Sequence, residues 1–405
     1  MLSENAIDAL MEPIIERQES INNYVIQTIA ERVKEIGHLL PSDVYKLERI
    51  LKSGGDVKKI NKEIARLTGL NERDIKRLIR TVAQDYYKDA KRYYDYRKLP
   101  YIPFEENKPL QTIVAAIAKQ TANTYINISN ARAFMIRDLK NPGRLVATPL
   151  SKTYYSVVDE AIQAVQSGTL DFNTAMRRTM RQLADSGIRY VEYDAESGRK
   201  YTQRLDTAVR RNLLDGIRQV GIEVQDELGK QYGATGKEIT VHANSAPDHE
   251  PIQGHQFTNE EFDKLQNHED FQDVDGNKFD GLERVIGQYN CYHVVYSIIV
   301  GVSKPTYTKA RLQAMIDANK KGYTTSDGRH MTMYECTQEQ RKLETKIREQ
   351  KERQMAFQAS GDLDAAREAQ AKMIQYQKQY KAFSQSCGLK VRKDRMAVSN
   401  YRRIK

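Results

Sequence analysis

The chain has 405 residues, 40% of them hydrophobic, which is enough for two or three folded domains with ordinary cores. Its longest apolar run, residues 294–302, is far shorter than the roughly 20 residues of a membrane helix, so no membrane span is expected. Three scattered cysteines without Cys-x-x-Cys spacing argue against a disulfide framework and fit a reducing cytosol. The first residues include early acids and no basic stretch before an apolar one, so no secretory signal is expected.

The formal net charge of +10 is unevenly distributed along the chain. Residues 244–286 hold 11 acidic and 3 basic side chains, whereas residues 303–405 hold 23 basic and 11 acidic ones. A basic excess of this size indicates contact with nucleic acid or with an acidic protein surface. The charge alone does not choose between these two partners.

The first 187 residues predict a helical domain, because apolar side chains recur there at steps of three and four. We expect a brief helix break at Gly69-Leu70-Asn71 and no strand before residue 188. A cluster of tyrosines from Tyr86 to Tyr96 allows either packing at a helix interface or base stacking, and packing is the favoured interpretation. The predicted helices cover residues 4–36, 41–51, 57–97, 109–139, 149–167 and 172–186.

The rest of the chain predicts a mixed centre and a helical end. A hairpin is expected over residues 188–202, then a helix over 205–228, and then a strand over 238–242 that delivers His242 at its end. Apolar spacing over 333–357 and 366–383 predicts an antiparallel helical hairpin. The predicted fold is therefore mainly α with a small α+β central domain. The predicted domains are a helical one at 1–187, an α+β core at 188–307, and a helical hairpin with a basic tail at 308–405.

Residues 242–307 are unusually rich in side chains that can bind metal or catalyse reactions, with five of the seven histidines and one of the three cysteines. The spacing of these residues resembles that of the phage minor capsid protein 2 family, relatives of the MuF-type head morphogenesis proteins. The matching positions are His242-Ala243, His249, Gln253-Gly254, Asn290-Cys291, His293, Gly301, Ser303, Pro305 and Tyr307. Tyr292 departs from the family pattern, which has arginine at that position.

The resemblance implies a minor structural protein of a tailed-phage head. It implies association with the portal protein and the major capsid protein, and a part in head morphogenesis or DNA delivery. The expected location is the virion, at the head interior or portal vertex, after assembly in the host cytoplasm. The alternatives are a virion-carried cysteine- or metal-dependent hydrolase and a cytosolic, non-specific DNA-binding protein. The family motif is expected to form a structural nucleus from His242, His249, Gln253, Gly254, Asn290, Cys291 and His293.

Part of this motif has the composition of a zinc site, since imidazole and thiolate are the preferred ligands of that ion. Cys291 and His293 would point the same way on an extended strand, and His242 and His249 supply two further donors. The alternative is that these side chains satisfy hydrogen bonds of the surrounding loop backbone.

The same residues include the types that a hydrolase needs. Cys291 with a neighbouring histidine, and Asp248 or Glu250 as orienting group, could serve as nucleophile, base and carboxylate. No peptidase or esterase signature accompanies them, so we expect no enzyme.

Basic side chains of the C-terminal hairpin and tail are candidate phosphate contacts. Those on the first hairpin helix avoid its apolar seam and are expected on an exposed face. The candidates are Lys342, Lys346, Arg348, Lys351, Arg353, Arg392, Lys393 and Arg395.

Overall fold

The computed structural model describes residues 4–38, 54–137, 144–167, 172–193, 200–273, 276–288 and 291–404. These residues form ten α-helices and a few small antiparallel sheets, so the predicted mainly α fold with a small α+β part is confirmed. Three sequence predictions lie outside the described residues: the helix at 41–51, the turn at 195–198 of the first hairpin, and the role of Asn290. None of the described helices combines the length and apolar character that crossing a bilayer requires.

The helices account for most of the chain. In chain order they are α1 (Glu4–Gly37), α2 (Gly55–Arg97), α3 (Lys108–Asn130), α4 (Leu150–Ser167), α5 (Phe172–Ser186), α6 (Leu205–Tyr232), α7 (Asn259–Gln266), α8 (Lys309–Lys321), α9 (Met333–Ser360) and α10 (Leu363–Ser386).

The strands form four antiparallel sheets. The largest has the order β2-β1-β3-β4, and a three-stranded sheet has the order β6-β5-β9, while β7 pairs with β8 and β10 with β11. The strands are β1 (Arg132–Arg137), β2 (Leu145–Pro149), β3 (Arg189–Tyr193), β4 (Lys200–Arg204), β5 (Gly236–Ile239), β6 (Gln256–Thr258), β7 (Phe271–Gln272), β8 (Lys278–Phe279), β9 (Val295–Ile298), β10 (Tyr323–Thr324) and β11 (His330–Met331).

The chain divides into two compact units, each drawn from three separate stretches. Unit 1 comprises Met1–Glu12, Glu72–Thr124 and Arg210–Glu339, and unit 2 comprises Pro13–Asn71, Tyr125–Val209 and Gln340–Lys405. The three-stranded sheet belongs to unit 1 and the four-stranded sheet to unit 2. The predicted division into three consecutive domains stays a prediction.

The predicted break in α2 is wrong, since the helix runs without interruption through Gly69 to Arg97. A glycine inside a helix costs about 1 kcal/mol relative to alanine, which is a small penalty beside tertiary contacts. Asn71 supplies such contacts: its buried side-chain amide donates hydrogen bonds to the carbonyl of Ile14 and to the hydroxyl of Tyr125. The stretch that resembled a turn signal in the sequence is thus held as helix by partners far along the chain.

The prediction that no strand occurs before residue 188 is also wrong. Helix α3 ends at Asn130, nine residues before its predicted end, and β1 follows at once. Strand β1 pairs with β2 along its length and with β3 at its first residues, and it buries Ala133 and Phe134. The backbone partner at β3 lies more than fifty residues away, and local spacing gives no sign of it.

The remaining elements largely agree with the sequence predictions. Strands β3 and β4 form the predicted hairpin, and α9 and α10 form the predicted antiparallel helical pair, with Tyr380 donating a hydrogen bond to Glu344 across it. The predicted strand at 238–242 is regular only to Ile239, but the amide of Thr240 still donates to the carbonyl of Val294. The tyrosine cluster packs as favoured, because Tyr86, Tyr87 and Tyr94 are buried.

Unit 2 contains a buried charge cluster. Arg204 lies 2.5 Å from Glu352 and 3.3 Å from Asp206, and Arg348 pairs with Asp206 and lies 3.7 Å from Glu19. Two guanidinium groups therefore face three carboxyl groups. Burial and the nearby Asp206 raise the pKa of Glu19 to about 8, so Glu19 holds a proton at neutral pH.

We expect Glu19→Gln to flatten the pH dependence of stability. The folded-state pKa of Glu19, about 8, lies above its ordinary value, so the folded state binds the proton more tightly and stability falls as pH rises from about 4.5 to 8. The loss has an upper limit of about 1.4 kcal/mol per pH unit and therefore of roughly 4 kcal/mol in total by pH 8. Urea denaturation at pH 5 and pH 8 measures this. Exposed Glu16→Gln on the same helix is the control, and an equal slope in wild type and Glu19→Gln would refute the assignment.

Candidate metal centre

Strand pairing in unit 1 brings the two halves of the motif together. Strand β5 pairs with β9 in antiparallel register, Ile239 opposite Val295, and two further hydrogen bonds between Thr240 and Val294 extend the pairing. The chain leaving β5 towards His242 therefore runs beside the chain that enters β9 from Cys291. The three-stranded sheet thus brings together two segments that are about fifty residues apart in the sequence.

The loop after His242 folds back onto the same sheet. Successive turns place the amide of His249 on the carbonyl of Ala246 and the amide of Gln253 on the carbonyl of His249. The amide of Gly254 then donates to the carbonyl of Ile239, 2.8 Å away, and closes the loop on β5. This closure points the side chain of His249 inward, where it is 4% exposed.

Three candidate ligands meet in the interior of unit 1. The sulfur of Cys291 lies 3.7 Å from Nδ1 of His249 and 3.4 Å from Nδ1 of His293. The donor atoms of all three side chains lie within 4.8 Å of one another. Cys291 is 7% and His293 1% exposed, so this group, the His/Cys triangle, is closed to bulk solvent.

Hydrogen bonds fix the imidazole tautomers of the triangle. Nε2 of His249 lies 2.6 Å from the carbonyl oxygen of Arg284, and Nε2 of His293 lies 3.3 Å from Oε1 of Gln253. These oxygens can only accept, so each Nε2 carries a proton and donates it. Nδ1 of each ring faces the sulfur of Cys291.

Burial governs the protonation of the triangle. It lowers the pKa of His293 well below its ordinary value, an effect reinforced by the neighbouring histidines, and it raises the pKa of the Cys291 thiol. His293 is therefore a neutral imidazole at physiological pH. Because its pKa is raised, the Cys291 thiol forms less of the thiolate that nucleophilic chemistry needs.

Two of the remaining motif residues surround the triangle. The ring of His242 packs on the ring of His293 with centroids 4.2 Å apart, while its Nδ1 lies 3.1 Å from the carbonyl of Ala243. Buried Gln253 accepts a hydrogen bond from the backbone amide of His242 through the same oxygen that meets His293. The structure thus brings three of the four predicted metal ligands together and places His242 beside them.

Comparison with known proteins identifies the family. The profile of the phage minor capsid protein 2 family matches residues 2–385, nearly the whole chain. The chain belongs to the phage minor capsid protein 2 family. The comparisons with curated proteins and with solved structures gave no significant match. Membership makes the chain a phage minor capsid protein, and so a protein of the virion.

Tyr292 stands where the family pattern has arginine, and it lies near the guanidinium of Arg218 on another element. Buried Arg218 on α6 donates to the carbonyl of Cys291 and to the hydroxyl of Tyr86, and its guanidinium carbon lies 5.8 Å from the centre of the Tyr292 ring. Arg218 thereby fixes the backbone of the triangle's cysteine. Sequence analysis missed this residue, because nothing in the helical pattern of α6 distinguishes one buried arginine that acts 73 residues away.

The glycine of the motif is required by both conformation and space. Gly254 has φ +75°, and a Cβ there would overlap Cδ2 of Leu312 and lie 2.8 Å from Cγ2 of Val241. We expect Gly254→Ala to destabilise unit 1 by about 2 kcal/mol, from backbone strain and crowding together. Gly301→Ala is the matched control, since Gly301 has φ +78° with nothing within 4 Å, and it should cost about half as much. Thermal unfolding compares the two, and equal costs would contradict a packing role for Gly254.

The basic candidates do not share one exposed face, so that prediction is wrong for three of them. Arg348 and Arg353 turn inward to pair with Asp206 and Asp185, and Lys351 is half-buried with its amine on the carbonyl of Met396. Arg348 is drawn inward by a buried carboxylate, Arg353 by a half-buried one, and Lys351 by a backbone carbonyl. Of the others, Lys342, Lys346 and Lys393 are exposed, whereas Arg392 pairs with Asp394 and Arg395 is half-buried.

Proposed function

We propose that this phage minor capsid protein acts in head morphogenesis and DNA delivery, bound to the portal protein or to the inner face of the major capsid protein. The observation that carries the proposal is the family match over residues 2–385, which includes both compact units. Because the match covers both units, we infer that the family's structural role belongs to the whole chain and not to a single segment.

The condition of the candidate site supports a structural role for unit 1. The cysteine and histidines that an enzyme would use are almost fully buried, and the sulfur and the two Nδ1 atoms face one another. A hydrolase needs its nucleophile to reach a substrate carbonyl, so a closed triangle fits a fold-locking function better than catalysis.

Charge supports contact with packaged DNA. Lys342, Lys346 and Lys393 are exposed in unit 2, within a C-terminal region that carries a large basic excess. Exposed lysines attract phosphate without reading base sequence, and this suits a protein that meets whatever genome fills the head.

Particle analysis tests the assembly role. A phage with an early stop codon in the gene should yield heads that fail to fill with DNA, or filled particles that do not deliver it, and expression of the wild-type gene in trans should restore the titre. Mass spectrometry of purified wild-type heads should find the chain at fewer copies than the major capsid protein. Infectious particles at full titre that lack the chain would refute the proposal.

A salt titration tests the DNA contact separately. The triple variant Lys342→Glu, Lys346→Glu and Lys393→Glu should reduce the slope of log affinity against log salt concentration by up to about 3, because each lost phosphate contact removes about 1. The control variant reverses Lys58, Lys59 and Lys62, three exposed lysines elsewhere in unit 2. Equal slopes for both variants would contradict a specific basic face.

A further inference from the structure

We propose that the His/Cys triangle is a structural zinc site, with Nδ1 of His249, Sγ of Cys291 and Nδ1 of His293 as its protein ligands. The proposal goes beyond the assembly role above and does not depend on it. It rests on three features of unit 1: the spacing of the donor atoms, the number of protons available to them, and the hydrogen bonds that hold them.

The spacing of the donors fits a tetrahedral ion. Zinc–nitrogen bonds of about 2.0 Å and zinc–sulfur bonds of about 2.3 Å at the tetrahedral angle separate a sulfur and a nitrogen ligand by about 3.5 Å. The two separations in the structure, 3.4 and 3.7 Å, lie on either side of that value.

The number of protons at the sulfur also fits an ion. Nε2 of each ring donates to an oxygen acceptor, and Nδ1 of each ring faces the sulfur of Cys291. A thiol has a single proton to offer two ring nitrogens, whereas a zinc ion bound to a thiolate can be ligated by both nitrogens at once.

A second layer of contacts holds the rings in the ligating orientation. The carbonyl of Arg284 that receives His249 belongs to a residue whose side chain is paired with Asp248, with Nε 3.0 Å from Oδ2. Gln253 receives His293, and Arg218 holds the carbonyl of Cys291. Histidine ligands in metalloproteins commonly donate their second nitrogen in this way, and the donation fixes both tautomer and ring angle.

The donor set selects the metal by class. Two imidazoles and a thiolate favour zinc over magnesium or calcium, which prefer oxygen. His242 is not one of the three donors, but its ring lies tilted against that of His293, with centroids 4.2 Å apart, so a further imidazole is next to the site. Three protein donors leave one position of a tetrahedral ion for His242 or for a water.

Metal analysis of the full chain, after removal of any affinity tag, tests the site. Wild type incubated with zinc and dialysed should retain about one ion per chain, as expected of a buried structural site. Cys291→Ser and His249→Ala should weaken zinc affinity by more than about 100-fold, beyond the 10–100-fold typical of losing an outer hydrogen-bond partner, which is the loss expected for Gln253→Ala. His330→Ala, at an exposed histidine of the same unit, should bind like wild type.

Cobalt substitution keeps the test decisive if a ligand variant fails to fold. Cobalt-loaded wild type should show the near-ultraviolet absorption of a cobalt–thiolate bond, which requires the sulfur of Cys291 or of another cysteine. Cys336→Ser should keep that absorption and Cys291→Ser should lose it. Wild type that retains no zinc, cobalt-loaded wild type without the thiolate band, or zinc affinity unchanged in Cys291→Ser would each overturn the proposal.

Discussion

Replacing Arg204 with methionine is expected to cost about 3–5 kcal/mol of unfolding free energy, the typical loss when one partner of a buried ion pair is removed. The guanidinium of Arg204 is 10% exposed and is the closest cation to Glu352, which is 4% exposed. Without it, Glu352 loses its ion-pair partner at 2.5 Å, and burial, which already raises the pKa of Glu352, leaves it as an unpaired charge or as a protonated acid, either of which costs folding free energy. Burial alone would raise the pKa of Asp206, but Arg348 and Arg204 lower it well below its usual value, so Asp206 also loses part of its stabilisation.

Chemical denaturation followed by circular dichroism measures this loss. The double variant Arg204→Met with Glu352→Leu removes both charges of the pair and should recover most of the stability, because the cost comes from an unpaired buried charge and not from the absence of the pair. Arg66→Met, in an exposed pair with Glu63, is the matched surface control and should unfold close to wild type. A double variant no more stable than Arg204→Met would show that the cluster does not act through charge.

Replacing Asn71 with leucine is expected to cost about 2–4 kcal/mol, since two buried polar groups and the half-buried Arg17 lose a hydrogen bond to the same side chain. The Asn71 amide donates to the carbonyl of Ile14 and to the hydroxyl of Tyr125, and its oxygen accepts from Arg17 at 2.7 Å. Leucine has a similar volume and a higher helix propensity, so the loss would come from polar contacts alone. Differential scanning calorimetry measures it.

Asn61→Leu on the same helix is the control for Asn71→Leu. Asn61 is exposed, so its replacement changes helix propensity without removing a buried contact. Asn61→Leu should leave the melting temperature unchanged or slightly higher, whereas Asn71→Leu should lower it by several degrees. Similar melting temperatures for both variants would mean that the contacts of Asn71 do not explain why α2 continues past Gly69.

These two positions also show where sequence reasoning succeeds and where it stops. Helices such as α1 and α6 were predictable, because apolar side chains at steps of three and four need only one buried face, whatever covers it. The continuity of α2 at Gly69 was not predictable, because the contacts of Asn71 are with residues more than fifty positions away. Strand β1 pairs with the nearby β2, but its pairing with β3 also depends on residues more than fifty positions away. Local spacing does not encode such partners.

The candidate site divides in the same way. The i, i+2 relation of Cys291 and His293 and the motif spacing predicted that they share a site, and the sulfur and the ring nitrogen lie 3.4 Å apart. The contributions of Arg218 and of the Arg284 carbonyl had no sequence signal, since one is an ordinary helical residue and the other acts through its backbone. Arg348 lies outside the apolar seam of its helix in the sequence pattern, and nothing in that pattern predicts that its side chain turns inward to pair with Asp206.

The convergence of the segments containing His249 and Cys291 is the claim on which the site depends, and a double-mutant cycle tests it most directly. Unfolding free energies are measured for wild type, His249→Ala, Cys291→Ala and the double variant, with His330→Ala and Cys291→Ala as the control pair. Side chains in contact should couple by more than about 1 kcal/mol, whereas distant residues add to within about 0.5 kcal/mol. Non-additivity for His249 with Cys291 and additivity for the control pair are the predicted results, and additivity for both pairs would contradict the convergence of the two segments.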